Sequence, residues 1–138
     1  LLDLVLTQFN KTQNKGIVIL GMSFKLGTPV IEGSAGVKLV KKILAIDPKL
    51  DITVIDPMSL KNCEILFGNN IKYSDNIGGS LRNCNVAVLI NNEQIFIDEI
   101  NTLGSNNNIT IIDCWRILKH NPIREKINII DWGKHRGN

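Results

Sequence analysis

The stretch Gly16-Ile17-Val18-Ile19-Leu20-Gly21-Met22-Ser23-Phe24-Lys25-Leu26-Gly27-Thr28 decides the fold class. Its first five residues are β-branched and continuously apolar after the glycine, the pattern of a short strand buried on both faces. A polar loop follows. Ser34 is then placed to cap a helix running to Ile46, whose buried side would carry Val37, Leu39, Val40, Ile43 and Leu44. Asp47-Pro48 stops that helix, and Asp51 to Ile55 reads as a second strand of the same kind. Strand, helix and strand in that order favour a parallel sheet with helices on both faces.

The pattern continues in both directions. Asp56-Pro57 leads into a short helix at Ser59 to Phe67, a weak strand at Ile71 to Tyr73 and a short helix from Ile77 to Asn83. Val86 to Ile90 is a further core strand, Gln94 to Leu103 a helix, Ile109 to Asp113 a strand and Ile127 to Asp131 a last strand. Asn106 to Asn108 is a turn. The expected fold is α/β, a Rossmann-like three-layer sandwich with a mainly parallel sheet of about five or six strands. Leu1, Leu4, Val5 and Phe9 have helical spacing. Residues 1–14 are therefore expected to end a helix from a preceding domain, with 15–138 forming the domain proper.

Composition narrows the function. The chain has 138 residues, the size of one domain, and its 43% hydrophobic and 21% charged residues are ordinary for a globular protein. The net charge is only +3, basic residues are scattered and aromatics are 5%, so no nucleic-acid partner is expected. No apolar run reaches the ~20 residues of a membrane span, and the N-terminus has no signal-peptide pattern, so no membrane partner is expected. Cys63, Cys84 and Cys114 are isolated from one another, which argues against a disulfide framework and a zinc site and points to the cytoplasm. His120 and His135 have no further ligand at metal spacing. Neither a metal site nor a catalytic residue is expected within the chain.

The candidate binding residues gather where strands end. In doubly wound sheets, ligands sit beyond the carboxyl ends of the strands, at helix N-termini. The loop after Leu20 has that address, but its glycines at 21, 27, 33 and 36 lack the dinucleotide spacing GxGxxG. Side chains would serve instead, with Lys25 a point charge toward phosphate and Phe24 an aromatic wall. The plainer alternative is a core Phe24 and a solvated Lys25. Asp56 stands where a ribose-binding acid would, yet Asp-Pro is equally a turn and helix-entry pair. Trp115 and Arg116, just past Asp113, offer either ligand contacts or packing, and Cys114 reads as a small buried residue.

Five segments, in register, resemble the C-terminal substrate-binding domain of the UDP-glucose and GDP-mannose dehydrogenase family. Ile19 to Thr28 is similar to the family's VLGLAFKPGT signature, with Ser34 at the serine of its RES. Val54-Ile55-Asp56-Pro57-Met58 resembles VYDP, and Asn85 to Ile90, with Asn91 and Phe96, follows ADAIVILTEWDEF. Ile111 to Leu118 sits where the family has IDGRNVL, and Ile129 to Gly133 resembles its final short strand. The resemblance spans about residues 15 to 133.

It implies a parent enzyme that oxidises C6 of a nucleotide sugar to a carboxylate in two NAD-dependent steps, through a thioester on a cysteine outside this chain. It also implies a homo-oligomer that prefers a UDP-sugar to a GDP-sugar and works in the synthesis of surface polysaccharide or glycoprotein. Phe24, Lys25 and Arg116 would bind the substrate, and NAD would be bound mainly by the rest of the polypeptide. Glu32 replaces a family arginine that reaches toward the cofactor, and Trp115 replaces the first arginine of IDGRN. At ~4 Å such a reversal near a dianion costs several kcal/mol unless another cation compensates. These departures keep open a second reading, a divergent non-catalytic structural or oligomerisation module of the same fold. A Rossmann-like half that binds NAD directly is disfavoured by the glycine pattern.

Overall fold

The computed structural model describes residues 1–11 and 15–133. Residues 12–14 of the expected leading segment, and His135 within 134–138, lie outside the described residues. The elements are α1 (Leu2–Asn10), β1 (Ile17–Leu20), α2 (Ala35–Ile46), β2 (Ile52–Ile55), α3 (Leu60–Phe67), β3 (Lys72–Tyr73), α4 (Ile77–Arg82), β4 (Val86–Leu89), α5 (Gln94–Ile100), β5 (Thr110–Asp113) and β6 (Asn128–Asp131). The strands form one six-stranded sheet in the order β3-β2-β1-β4-β5-β6, with every pair parallel. This is the α/β Rossmann-like architecture that the sequence pattern predicts.

The strand runs are continuously apolar because successive side chains feed two different cores. Ile17 and Ile19 of β1, with Ile52 and Val54 of β2, pack on one face against Val5 and Phe9 of α1, Val40 and Ile43 of α2 and Phe67 of α3. Val18 and Leu20, with Ala87 and Leu89 of β4, pack on the other face against Leu81 of α4 and Phe96 and Ile100 of α5. Each such side chain, fully buried, contributes about 1.5–3 kcal/mol of transfer free energy. Helix α1 is thus built into the first core, and Asn85 Nδ2 also donates to the Phe9 carbonyl at 3.2 Å.

Boundaries shift where local hydrogen bonding overrides hydrophobic spacing. Helix α5 stops at Ile100 rather than Leu103, because the Thr102 hydroxyl donates to the Glu99 carbonyl and the chain closes a turn there. Leu103 remains buried all the same. The weak strand at 71–73 shrinks to the two residues of edge strand β3. A 3-10 turn at Pro122–Glu125, capped by the Asn121 carboxamide on Ile123 N–H, precedes β6. Among the described residues no helix is long and apolar enough to cross a membrane.

The strand order reverses between β1 and β4, so their loops depart to opposite faces, toward α2 and α5. In this class of fold that divergence opens the ligand crevice at the carboxyl edge of the sheet.

Candidate functional site

Two buried aspartates, one ending β5 and one just past β2, fix the loops at this edge. The Asp56 carboxylate accepts from Met22 N–H, Ser23 N–H and the Ser23 hydroxyl, each at 2.9 Å, and from Met58 and Ser59 N–H at 2.9 and 3.0 Å. Burial pushes its carboxyl up, but the bonds from Met58, Met22 and Ser23 outweigh this and hold it below the ordinary range. With five donors on two oxygens, Asp56 anchors the β1 loop and caps the entry to α3, so the capping reading prevails over the ribose-binding one. Asp113 does the same for the β5 loop, accepting from Trp115 N–H at 3.0 Å and Leu118 N–H at 2.8 Å.

The loop between β1 and α2 is also held from above. Phe24 N–H donates to the Val30 carbonyl at 2.7 Å, and Asn62 of α3 donates to the Pro29 carbonyl at 2.7 Å. Phe24 is 58% exposed, against the core alternative, and its ring lies over Gly33, where a Cβ would meet it at 3.4 Å. Lys25 is exposed on the same loop. Ser34 caps α2 by accepting from Val37 N–H at 3.3 Å, so the aromatic face over Gly33 stands beside the positive end of a twelve-residue helix. Glu32 is exposed beside Gly33 and lines a cleft of about 630 Å³ between α2 and α3. Lys38 and Lys41 line the same cleft.

Trp115 is half-buried, packs against the first core and donates from Nε1 to the Ile90 carbonyl, so it acts in packing. Arg116 has a left-handed backbone (φ 55°) and donates from Nη2 to the Gly133 carbonyl at 2.7 Å. It lines a separate cleft with Lys119, His120 and Lys126 that contains no residue of the β1 loop. The structure therefore brings Phe24, Lys25 and Glu32 onto one loop, and places Arg116 after β5, which is separated from β1 by β4. Cys114 is buried among core residues. Burial pushes the Cys63 thiol up to about 11 and that of Cys84 to about 12, which keeps both protonated near neutrality. No metal-binding cluster occurs among the described residues.

Asn91 is the rim residue that sequence reasoning missed. Its Nδ2 donates to the Ser23 carbonyl at 3.1 Å, and its Cβ lies 2.7 Å from where a Cβ on Gly21 would stand. Only a glycine at 21 admits this approach; Gly36 is needed in turn, because its Cβ would fall 2.4 Å from the Gly21 carbonyl oxygen. No local signal announces a contact across 68 residues. Asn91 thus packs against Gly21 at the switch point, and the Asp56 oxygens that would have to receive a ribose are already taken. The described residues consequently do not fit a primary NAD site.

Residues 18–120 match the family model described as UDP-glucose/GDP-mannose dehydrogenase family, UDP binding domain. The chain belongs to this family. Its UDP-binding domain here is 30% identical over 89 residues to the UDP-glucose 6-dehydrogenase AglM of Haloferax volcanii, covering 64% of this chain and 20% of that protein. It is 33% identical over 64 residues to the UDP-glucose 6-dehydrogenase of Rickettsia bellii, 46% of this chain and 14% of that protein. The chain thus spans a fifth or less of these curated relatives. In fold, the UDP-binding domain superposes on a UDP-glucose dehydrogenase of Pyrobaculum islandicum with a TM-score of 0.72 at 15% identity, over 95% of this chain and 28% of that one. A GDP-mannose dehydrogenase of Pseudomonas aeruginosa gives 0.67 at 15% identity, over 93% and 30%.

Proposed function

We propose that the domain holds the nucleotide of a nucleotide sugar for a parent NAD-dependent UDP-sugar 6-dehydrogenase, which oxidises C6 of the sugar to a carboxylate. The observation that carries this is the exposed Phe24 and Lys25 on a rigidly anchored loop at the carboxyl edge of β1, in a UDP-binding domain by family. The base stacks on Phe24, and Lys25 with the N-terminus of α2 neutralises the diphosphate. Arg116 is left out of this contact set because it lines another cleft. A UDP-sugar is favoured over a GDP-sugar by the two curated relatives, both UDP-glucose 6-dehydrogenases.

NAD and the catalytic cysteine belong, in this proposal, to parts of the parent outside this chain, and α1 is the end of a helix leading from them. The parent works as a cytoplasmic homo-oligomer, and the chain alone has no dehydrogenase activity. Calorimetric titration with UDP tests the reading: Lys25→Ala should weaken binding by about 1–3 kcal/mol, the scale of a charge-assisted contact. An unchanged dissociation constant removes Lys25 from the site.

A further inference from the structure

We propose that the cleft between the end of α5, the β5 loop and the Pro122–Glu125 turn is a second anion site, suited to a small phosphorylated molecule and separate from the nucleotide loop. The cleft has a volume of about 850 Å³, within the range of small-molecule sites. Arg116, Lys119 and Lys126 line it together with His120, and no carboxylate does. A cleft walled by one sign of charge concentrates counter-ions at its mouth.

The cations are also left uncompensated. Among the described residues the ion pairs are Lys72–Asp51 and Arg124–Asp131, so the nearby Asp131 carboxylate is engaged by Arg124 and not by the cleft. Arg116 supplies an independent sign. It is the non-glycine residue with positive φ among the described residues, and its Nε is buried without a hydrogen-bond partner. A left-handed backbone that holds a guanidinium by one bond, from Nη2 to the Gly133 carbonyl, and leaves Nε unpartnered marks a position able to serve a ligand.

The scaffold beneath is firm. Leu118 N–H is fixed by Asp113, its carbonyl by Arg124 Nε at 2.7 Å, and the turn by the Asn121 cap. Ile117 and Pro122 give the cleft an apolar wall, but it has no Phe, Tyr or Trp to form a broad stacking face for a base. Phosphate on a small carbon skeleton therefore fits it better than a nucleotide does.

The test is an NMR titration of the chain with inorganic pyrophosphate at fixed ionic strength, following the amides of Asn101 and of residues 116–126. Saturable shifts there are expected, with amides of 24–33 unmoved. The exposed pair K119A/K126A should raise the dissociation constant at least about tenfold. The pair K42A/K49A, which removes the same charge from α2 and the turn after it, should leave it unchanged. Native-like amide spectra of both variants verify the fold. Shifts that do not saturate, that fall equally in both double variants, or that appear at the β1 loop instead would overturn the proposal. Because a different loop responds, this outcome is independent of UDP binding.

Discussion

Asp56 shows how much a single residue can set at this edge. One buried carboxylate satisfies two backbone donors and a hydroxyl from the β1 loop and two backbone donors of its own turn, so the nucleotide loop and α3 are positioned by the same group. Asp56→Asn places an amide nitrogen against N–H donors and should cost about 3 kcal/mol, read as a lower urea midpoint at unchanged slope. The pH sign follows from its depressed native pKa. Its contribution is complete above the unfolded value near 3.9 and is lost as pH falls through the lower native value. Urea midpoints of the wild type should therefore drop below about pH 4 more steeply than those of Asp56→Asn. The Asp-Pro pair made the capping role legible in the sequence, because its chemistry is local. The exposure of Phe24 was not legible from spacing, which fits a core position equally well. The Asn91 bridge was invisible, because the residue it meets lies far away in sequence.

At the scale of elements, the helix starts were more legible than the ends. Ser34 was readable as a cap because capping needs only one side chain and an N–H three residues on, and Ser34→Ala should cost about 1 kcal/mol by chemical denaturation. The early end of α5 depends on a hydroxyl competing for a carbonyl, which apolar periodicity does not report. Gly36 joins element to site: a methyl group there collides with the Gly21 carbonyl at the seat of α2. Gly36→Ala should destabilise by about 1–3 kcal/mol and weaken UDP binding as well, since the loop must move to admit the methyl. Unimpaired UDP affinity in a destabilised Gly36→Ala would separate loop position from binding.

At the scale of the whole molecule, alternating apolar runs made the parallel sheet legible, because a strand covered on both faces has no polar positions. The strand order was inferred only from the class, since pairing of β1 with both β2 and β4 is set by packing across the chain. That order places the crevice between the β1 and β4 loops, where Asn91 packs against Gly21 and bonds to the Ser23 carbonyl. The central claim is that the β1 loop of this domain receives a nucleotide diphosphate rather than NAD. The most direct measurement is an NMR titration of the chain with UDP, then GDP, then NAD, following the amides of residues 21 to 36. Saturable shifts on that loop with UDP, weaker with GDP and absent with NAD, are predicted. No shifts with UDP, or stronger shifts with NAD, would contradict the claim and favour a structural module or a direct dinucleotide site.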